Sequence, residues 1–281
     1  MSIIDAHMHL FERPYSDLYN NSHIRQGEEG ELHLYEEYRR DTGIEGAFVI
    51  CYEGDSRYAG NNGYVERIKS GRPWIHSFGH MNPNPGTMRK EAQKLNQRGH
   101  FGLSCYLDRD DSCTWMASDE MDSFWQYIEE ERMPLSLNIS ANQCGPLAEA
   151  LARHPGATVL ISHMGRPKVS GGRLDEADYA PLLNLAGHEG ACVKLSGFYA
   201  FVEDGWRWPQ KPLFAAVDRL KSEFGAERLL FATDFPPVLE HNSIRQTIAL
   251  LKLEYTGFTE SEQQAIYGGN AQRIIDWRYE D

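Results

Sequence analysis

Three short segments of this chain carry the residue types of proton transfer and carbonyl activation. The first reads Ile4-Asp5-Ala6-His7-Met8-His9-Leu10. As a strand it would put Asp5, His7 and His9 on one face, with the two imidazoles roughly 7 Å apart at the backbone. Their nitrogens could then converge on one ion or one substrate atom. Burying these groups is costly unless water, a metal or each other satisfies them. A satisfied polar patch at a strand end is the plainer reading of the same residues. The second segment reads Val159-Leu160-Ile161-Ser162-His163-Met164-Gly165-Arg166-Pro167. A His and an Arg closing an apolar run can face an oxyanion or a carboxylate. A hydrogen-bonded structural His and an Arg paired with surface acid are the alternative. The third reads Leu229-Leu230-Phe231-Ala232-Thr233-Asp234-Phe235-Pro236-Pro237. Here a carboxylate closes a buried run, and the prolines behind it fix a loop rather than open a helix. A functional Asp234 is favoured.

These segments need a frame that brings them together. Short apolar runs suggest eight strands: Ile3–Phe11, Gly46–Glu53, Trp74–Met81, Phe101–Leu107, Pro134–Ser140, Thr158–Gly165, Ala191–Phe198 and Arg228–Pro236. Several are bounded by Gly or Pro. Helical patterns fall between most of them, at Leu32–Thr42, Gly86–Gln97, Asp119–Arg132, Gly145–Arg153, Ala180–Leu185, Leu213–Phe224 and Ile244–Leu253. A closing pair follows at Glu260–Tyr267 and Asn270–Asp276, and Asp119 reads as an N-cap. Eight strands alternating with helices predict an α/β fold, a (β/α)8 TIM barrel, spanning 1–281 as a single domain. In a closed barrel the first and eighth strands are neighbours. His7, His9, His163 and Asp234 can then meet at the mouth. Long loops at Tyr15–Gly30 and Arg109–Ser118 are placed to border it.

Composition narrows the partners. The chain has 28 basic and 41 acidic residues, for a formal net charge of −13. That balance argues against nucleic acid, whose phosphates need a basic surface, and against an anionic membrane. A small-molecule substrate remains, anionic ones included, because a local Arg outweighs distant screened charge. Five cysteines without a CxxC pair suggest a reduced, cytoplasmic compartment. No signal peptide or membrane-spanning run is evident. Assembly into a homo-oligomer is left open.

The segments around Asp5–His9, His163–Pro167, Val193-Lys194-Leu195-Ser196-Gly197 and Phe231–Pro236 resemble the amidohydrolase-2 family, as does Gly268-Gly269-Asn270-Ala271-Gln272-Arg273 near the C-terminus. The matches keep the family's order from residue 3 to residue 275. The HMGRP and KLSG segments are most similar to its lactonase branch, which includes 2-pyrone-4,6-dicarboxylate lactonase and sugar-acid lactonases. The resemblance implies that Asp234 is the base that activates water, or first binds a metal. It implies that His7, His9 and His163 polarise the carbonyl or hold that metal, and that Arg166 contacts a substrate carboxylate or oxygen.

Two departures shape the expectation. Metal-dependent relatives place a His on strand five, where this chain offers Asn138, a poor zinc ligand. The expected cofactor is therefore none obligatory, or one divalent metal such as zinc on His7, His9 and Asp234. The dicarboxylate enzyme uses several arginines, whereas the fourth strand offers none and KLSG is followed by Phe198-Tyr199-Ala200-Phe201. A neutral or singly charged lactone fits better, with Arg166, Asn138 and Tyr199 as substrate contacts and Tyr106 as a further one. The expected activity is lactone hydrolysis. A metal-dependent decarboxylase or hydratase acting on an aromatic or muconate-type acid is one alternative, and a non-catalytic barrel another. Lys194 either lines the barrel or pairs with an acid such as Asp5. His80 and His241 are left open, and Trp206 and Trp208 read as a lid or as rim packing.

Overall fold

The computed structural model describes residues 2–15, 30–107 and 111–280. Residues 16–29 of the loop expected over Tyr15–Gly30 lie outside the described residues, as do 108–110 of the loop expected over Arg109–Ser118. Eight parallel strands, numbered here along the chain, form the barrel. They are β1 Ile3–Met8, β2 Ile44–Ile50, β3 Ile75–His80, β4 Gly102–Tyr106, β5 Leu135–Asn138, β6 Val159–Ile161, β7 Ala191–Leu195 and β8 Leu229–Phe231. Neighbours pair in sequence order, and a short antiparallel hairpin, Val169–Ser170 with Arg173–Leu174, sits outside the barrel. The seam between β1 and β8 closes just beyond the strand ends. There Asp234 N donates to His7 O at 2.8 Å and His9 N donates to Phe235 O at 2.6 Å.

Two apolar layers hold the frame. Ile4, Ala6, Phe48, Ile50, Phe78, Leu160 and Leu230 fill the barrel. Met8, Val49, Leu103, Leu137 and Val193 face outward onto helix residues such as Leu32, Val65, Trp125 and Leu220. The helices are α1 Gly30–Thr42, α2 Asn61–Lys69, α3 Pro85–Gln97, α4 Asp122–Glu130, α5 Cys144–Arg153, α6 Glu176–Asn184 and α7 Phe214–Phe224, then α8 Ile244–Ala249, α9 Glu260–Gln264 and α10 Asn270–Tyr279. Among the described residues no helix is long and apolar enough to cross a membrane. All five cysteines are buried thiols.

Three local expectations are corrected. The sequence pattern gave no helix between β2 and β3, yet α2 is there. Its buried face is partly amide: Asn61 Nδ2 donates to Leu10 O, and Asn62 bonds both N and O of His80. Apolar periodicity cannot register a face built this way. Asp119 is not the cap of α4. A 3-10 turn over Asp119–Met121 precedes the helix, and the fully exposed Asp119 side chain reaches Arg153.

The third correction matters most. Asp5 does not share a face with His7 and His9. The register of β1 on β2 shifts between Asp5 and Met8, so Ala6 packs inside the barrel, Met8 outside, and strict alternation is lost. The Asp5 carboxylate accepts from Tyr35 Oη of α1 at 2.8 Å, Thr233 N at 2.8 Å, Thr233 Oγ1 at 2.5 Å and His7 N at 3.2 Å. Donors from α1, the Thr233 turn and the β1 backbone itself outweigh the strand's alternation at the bulge.

Candidate active site

β6 and β8 end earlier than their apolar runs suggest. Beyond Ile161 the backbone turns left-handed, with φ of 53° at His163, 54° at Met164 and 55° at Arg166. Beyond Phe231 the same happens at Asp234, with φ 59°. Left-handed non-glycine residues cost about 1–3 kcal/mol each and persist only where their surroundings hold them. The seam bond to His7 O holds Asp234. Ser196 Oγ holds His163, at 2.9 Å from Nδ1, and Gly197 leaves room for it, since a Cβ there would stand 3.0 Å from that nitrogen.

The two turns and the end of β1 bring together all four residues expected to act. His7 Nε2 and His9 Nε2 each lie 3.7 Å from Asp234 Oδ1, and His163 Nδ1 lies 3.9 Å from Oδ2. The His7 ring sits edge-on to both others, with centroids 5.0 Å from His9 and 4.6 Å from His163. Tyr199 Oη donates to Asp234 Oδ2 at 2.6 Å and stacks on His241, which gives His241 a place behind the carboxylate. Burial pushes His9 down to about 4 and His163 to about 3, and His7 well below the usual imidazole range. The three rings are neutral at neutral pH. Burial pushes Asp234 up, opposed by His9, the Tyr199 hydroxyl and Lys194.

A cavity of about 230 Å3 opens over this group, with His9, Asn138, His163, Tyr199 and Asp234 as its polar lining. The remaining wall is aromatic. Phe11 stacks on His9 at 5.6 Å and on Tyr58 at 4.3 Å, and Tyr52 leans on Tyr106 at 4.6 Å. Arg166 does not line this cavity. Its Nε donates to Asn138 Oδ1 at 2.8 Å and its Nη1 to Ser140 Oγ at 3.3 Å, so it orients the Asn138 amide. His80 sits beside Tyr52 and Tyr106 with the Asn82 side chain in reach, and among the described residues Tyr106 Oη has no hydrogen-bond partner. Trp206 is exposed and Trp208 donates to Gln246 O; neither lines the cavity.

Sequence reading gave Lys194 two places, lining the barrel or paired with an acid. The structure buries it completely inside the barrel, with Nζ 2.6 Å from Ser136 Oγ and 3.3 Å from His7 Nδ1. Its place in an apolar, alternating β7 was the available signal.

For a metal, His7, His9 and Asp234 offer ligand atoms that all lie within 4.8 Å of one another. A ligating imidazole needs its other nitrogen to donate to an acceptor. His9 meets this, with Nδ1 2.7 Å from Ile50 O. His7 meets it only through Ser162 Oγ, 3.3 Å from Nδ1, because Lys194 Nζ at the same distance is a donor that opposes a proton there. With Asn138 on β5, the set supplies a carboxylate and one bare imidazole nitrogen. It does not fit a resident dication.

Solved structures share this fold along almost the whole chain. An amidohydrolase from Burkholderia multivorans, seen with bound HEPES, superposes with TM-score 0.78 at 16% identity, covering 98% of this chain and 99% of its own. A Pseudomonas putida protein assigned as a 2-pyrone-4,6-dicarboxylic acid hydrolase gives TM-score 0.72 at 21% identity, covering 99% and 98%. The 5-carboxyvanillate decarboxylase of Sphingomonas paucimobilis gives TM-score 0.63 at 12% identity, covering 97% and 98%. No curated protein sequence matches this chain. The Amidohydrolase family (Amidohydro_2) matches residues 4–277, and by that match the chain belongs to the amidohydrolase-2 family.

Proposed function

We propose that this protein hydrolyses a small neutral lactone of the sugar-acid type, without a bound metal. The observation that carries the reading is a buried carboxylate among three neutral imidazoles at the floor of an aromatic cavity. Asp234 takes a proton from water as the oxygen attacks the lactone carbonyl. His163 in the cavity wall and His7, whose Nε2 lies 3.7 Å from Asp234 Oδ1, could offer N–H donors to the developing oxyanion, each worth roughly 3–4 kcal/mol if well placed. The bare Nε2 of His9 helps hold the water. When the ring C–O bond breaks, Asp234 returns the proton to the leaving oxygen, giving the hydroxy acid. Raising the Asp234 pKa by burial brings the base nearer to working pH.

The wall supports the substrate class. Tyr52, Tyr58 and Tyr106 offer ring faces to C–H surfaces and hydroxyls to polar substituents. Among the described residues no Arg or Lys lines the cavity, so these residues supply no counter-charge for a dicarboxylate such as that named for the Pseudomonas putida relative. A metal-dependent decarboxylase or hydratase draws support from the convergence of His7, His9 and Asp234 and from the fold shared with the Sphingomonas paucimobilis decarboxylase.

The test is a panel of aldonolactones and 2-pyrone-4,6-dicarboxylate, run after chelator dialysis and again with added zinc or manganese. Neutral lactones should turn over in chelated enzyme with kcat/KM at least about a hundredfold above the dicarboxylate, the scale of one or two lost charge-paired contacts. Preference for the dicarboxylate, or activity only with metal, would overturn the reading.

A further inference from the structure

We infer that Lys194 fixes His7 as a hydrogen-bond donor on the side of Asp234, so that His7 serves an oxygen and cannot serve a metal. The inference rests on the metal-free reading above and names the residue that enforces it.

The argument is an inventory of protons. Two polar side-chain atoms approach His7 Nδ1: Lys194 Nζ at 3.3 Å and Ser162 Oγ at 3.3 Å. A charged lysine only donates, an uncharged one still has N–H bonds to give beside its lone pair, and a hydroxyl can donate or accept. Lys194 spends one N–H on Ser136 Oγ at 2.6 Å and has another for His7. Ser136 can pass its own proton toward Ser162 Oγ, 3.5 Å away. The whole chain of donors therefore runs toward Nδ1, which accepts. A proton on Nδ1 would instead confront the N–H groups of Lys194 in a fully buried place.

The His7 proton then resides on Nε2. That atom is buried and among the described residues has no hydrogen-bond partner, and it lies 3.7 Å from Asp234 Oδ1. It is a donor held ready for an oxygen that the protein itself does not supply. His9 carries the opposite tautomer, because Ile50 O accepts from its Nδ1 and leaves Nε2 bare. One imidazole thus donates and the other accepts on the same side of Asp234. For His7 to ligate zinc, its proton would have to move to Nδ1 and face Lys194. A charged Lys194 would also repel a dication inside the same low-dielectric barrel.

The test reads protons and metal, not turnover. In chelator-dialysed, 15N-labelled protein, long-range 1H–15N spectra should show His7, assigned by loss of its signals in His7→Asn, protonated on Nε2, and His9 protonated on Nδ1. Lys194→Met removes the donor at similar length. By titration calorimetry it should bind zinc at least tenfold more tightly than the wild-type chain. A wild-type His7 protonated on Nδ1 overturns the inference, as does equal zinc affinity in a folded Lys194→Met protein. Should that variant not fold, the wild-type spectrum decides alone. Failure of the lactone panel with His7 protonated on Nε2 would remove the substrate reading and leave this assignment standing.

Discussion

Replacing Tyr199 by Phe should shift the acid limb of turnover upward while leaving the site assembled. The hydroxyl donates to Asp234 Oδ2 at 2.6 Å, a short bond to a charged acceptor. Hydrogen bonds of this kind contribute about 1.5–3 kcal/mol. They favour the ionised carboxylate, and burial opposes it. At about 1.4 kcal/mol per unit, losing the bond raises the Asp234 pKa by about 1–2 units. A base that must be ionised then loses about 10–100-fold in kcat/KM below the new limb and recovers above it. The Phe ring still stacks on His241, whose centroid lies 4.7 Å from that of Tyr199, so gross displacement is not expected. The assay is kcat/KM for a neutral lactone across pH for both proteins. A limb that stays in place while the rate falls uniformly would refute the reasoning, because Tyr199 would then act on something other than Asp234.

Two further outcomes follow from the same geometry. Thr233→Val keeps the shape but leaves the buried Asp5 carboxylate short of its Oγ1 donor and Phe235 N short of an acceptor. It should cost about 1–3 kcal/mol by denaturant unfolding, and a loss within experimental error would mean that the bulge does not depend on Asp5. Glu31 is pushed up to about 7 by burial, although Phe11 N and Tyr15 N donate to it. The unfolded chain releases this proton near 4.5 and the folded chain near 7, so stability falls as pH rises through that window, by about 3 kcal/mol in full. Glu31→Gln should lack this component, so its unfolding free energy relative to wild type rises between pH 5 and pH 8. A pH-independent difference would contradict the burial argument.

The barrel was legible because parallel strands buried on both faces read as apolar runs, and the four polar residues stand out where those runs end. His7, His9, His163 and Asp234 were found in this way, and the closed order of strands carries the 227 positions between His7 and Asp234. What escaped was set by hydrogen bonds, which hydropathy does not encode. Asp5 left the predicted face because Tyr35 and Thr233 offered it donors from elsewhere in the chain. The helix α2 was hidden because its buried face is partly Asn61 and Asn62. Arg166 and Tyr199 were expected on substrate; Arg166 bonds Asn138, and Tyr199, which lines the cavity, also bonds Asp234, links that residue type does not signal. The left-handed turns at His163 and Asp234 leave no mark in residue type, since neither is glycine.

The central claim is that Asp234 is the base of a metal-independent lactone hydrolysis. Its most direct measurement is kcat/KM on a responsive aldonolactone for wild type and Asp234→Asn, both freed of metal by chelator. The account predicts sustained wild-type activity and a loss in the variant of about 100-fold or more, the range for a removed general base. Near-wild-type activity in Asp234→Asn, or a wild-type enzyme that falls silent with the chelator, would contradict it.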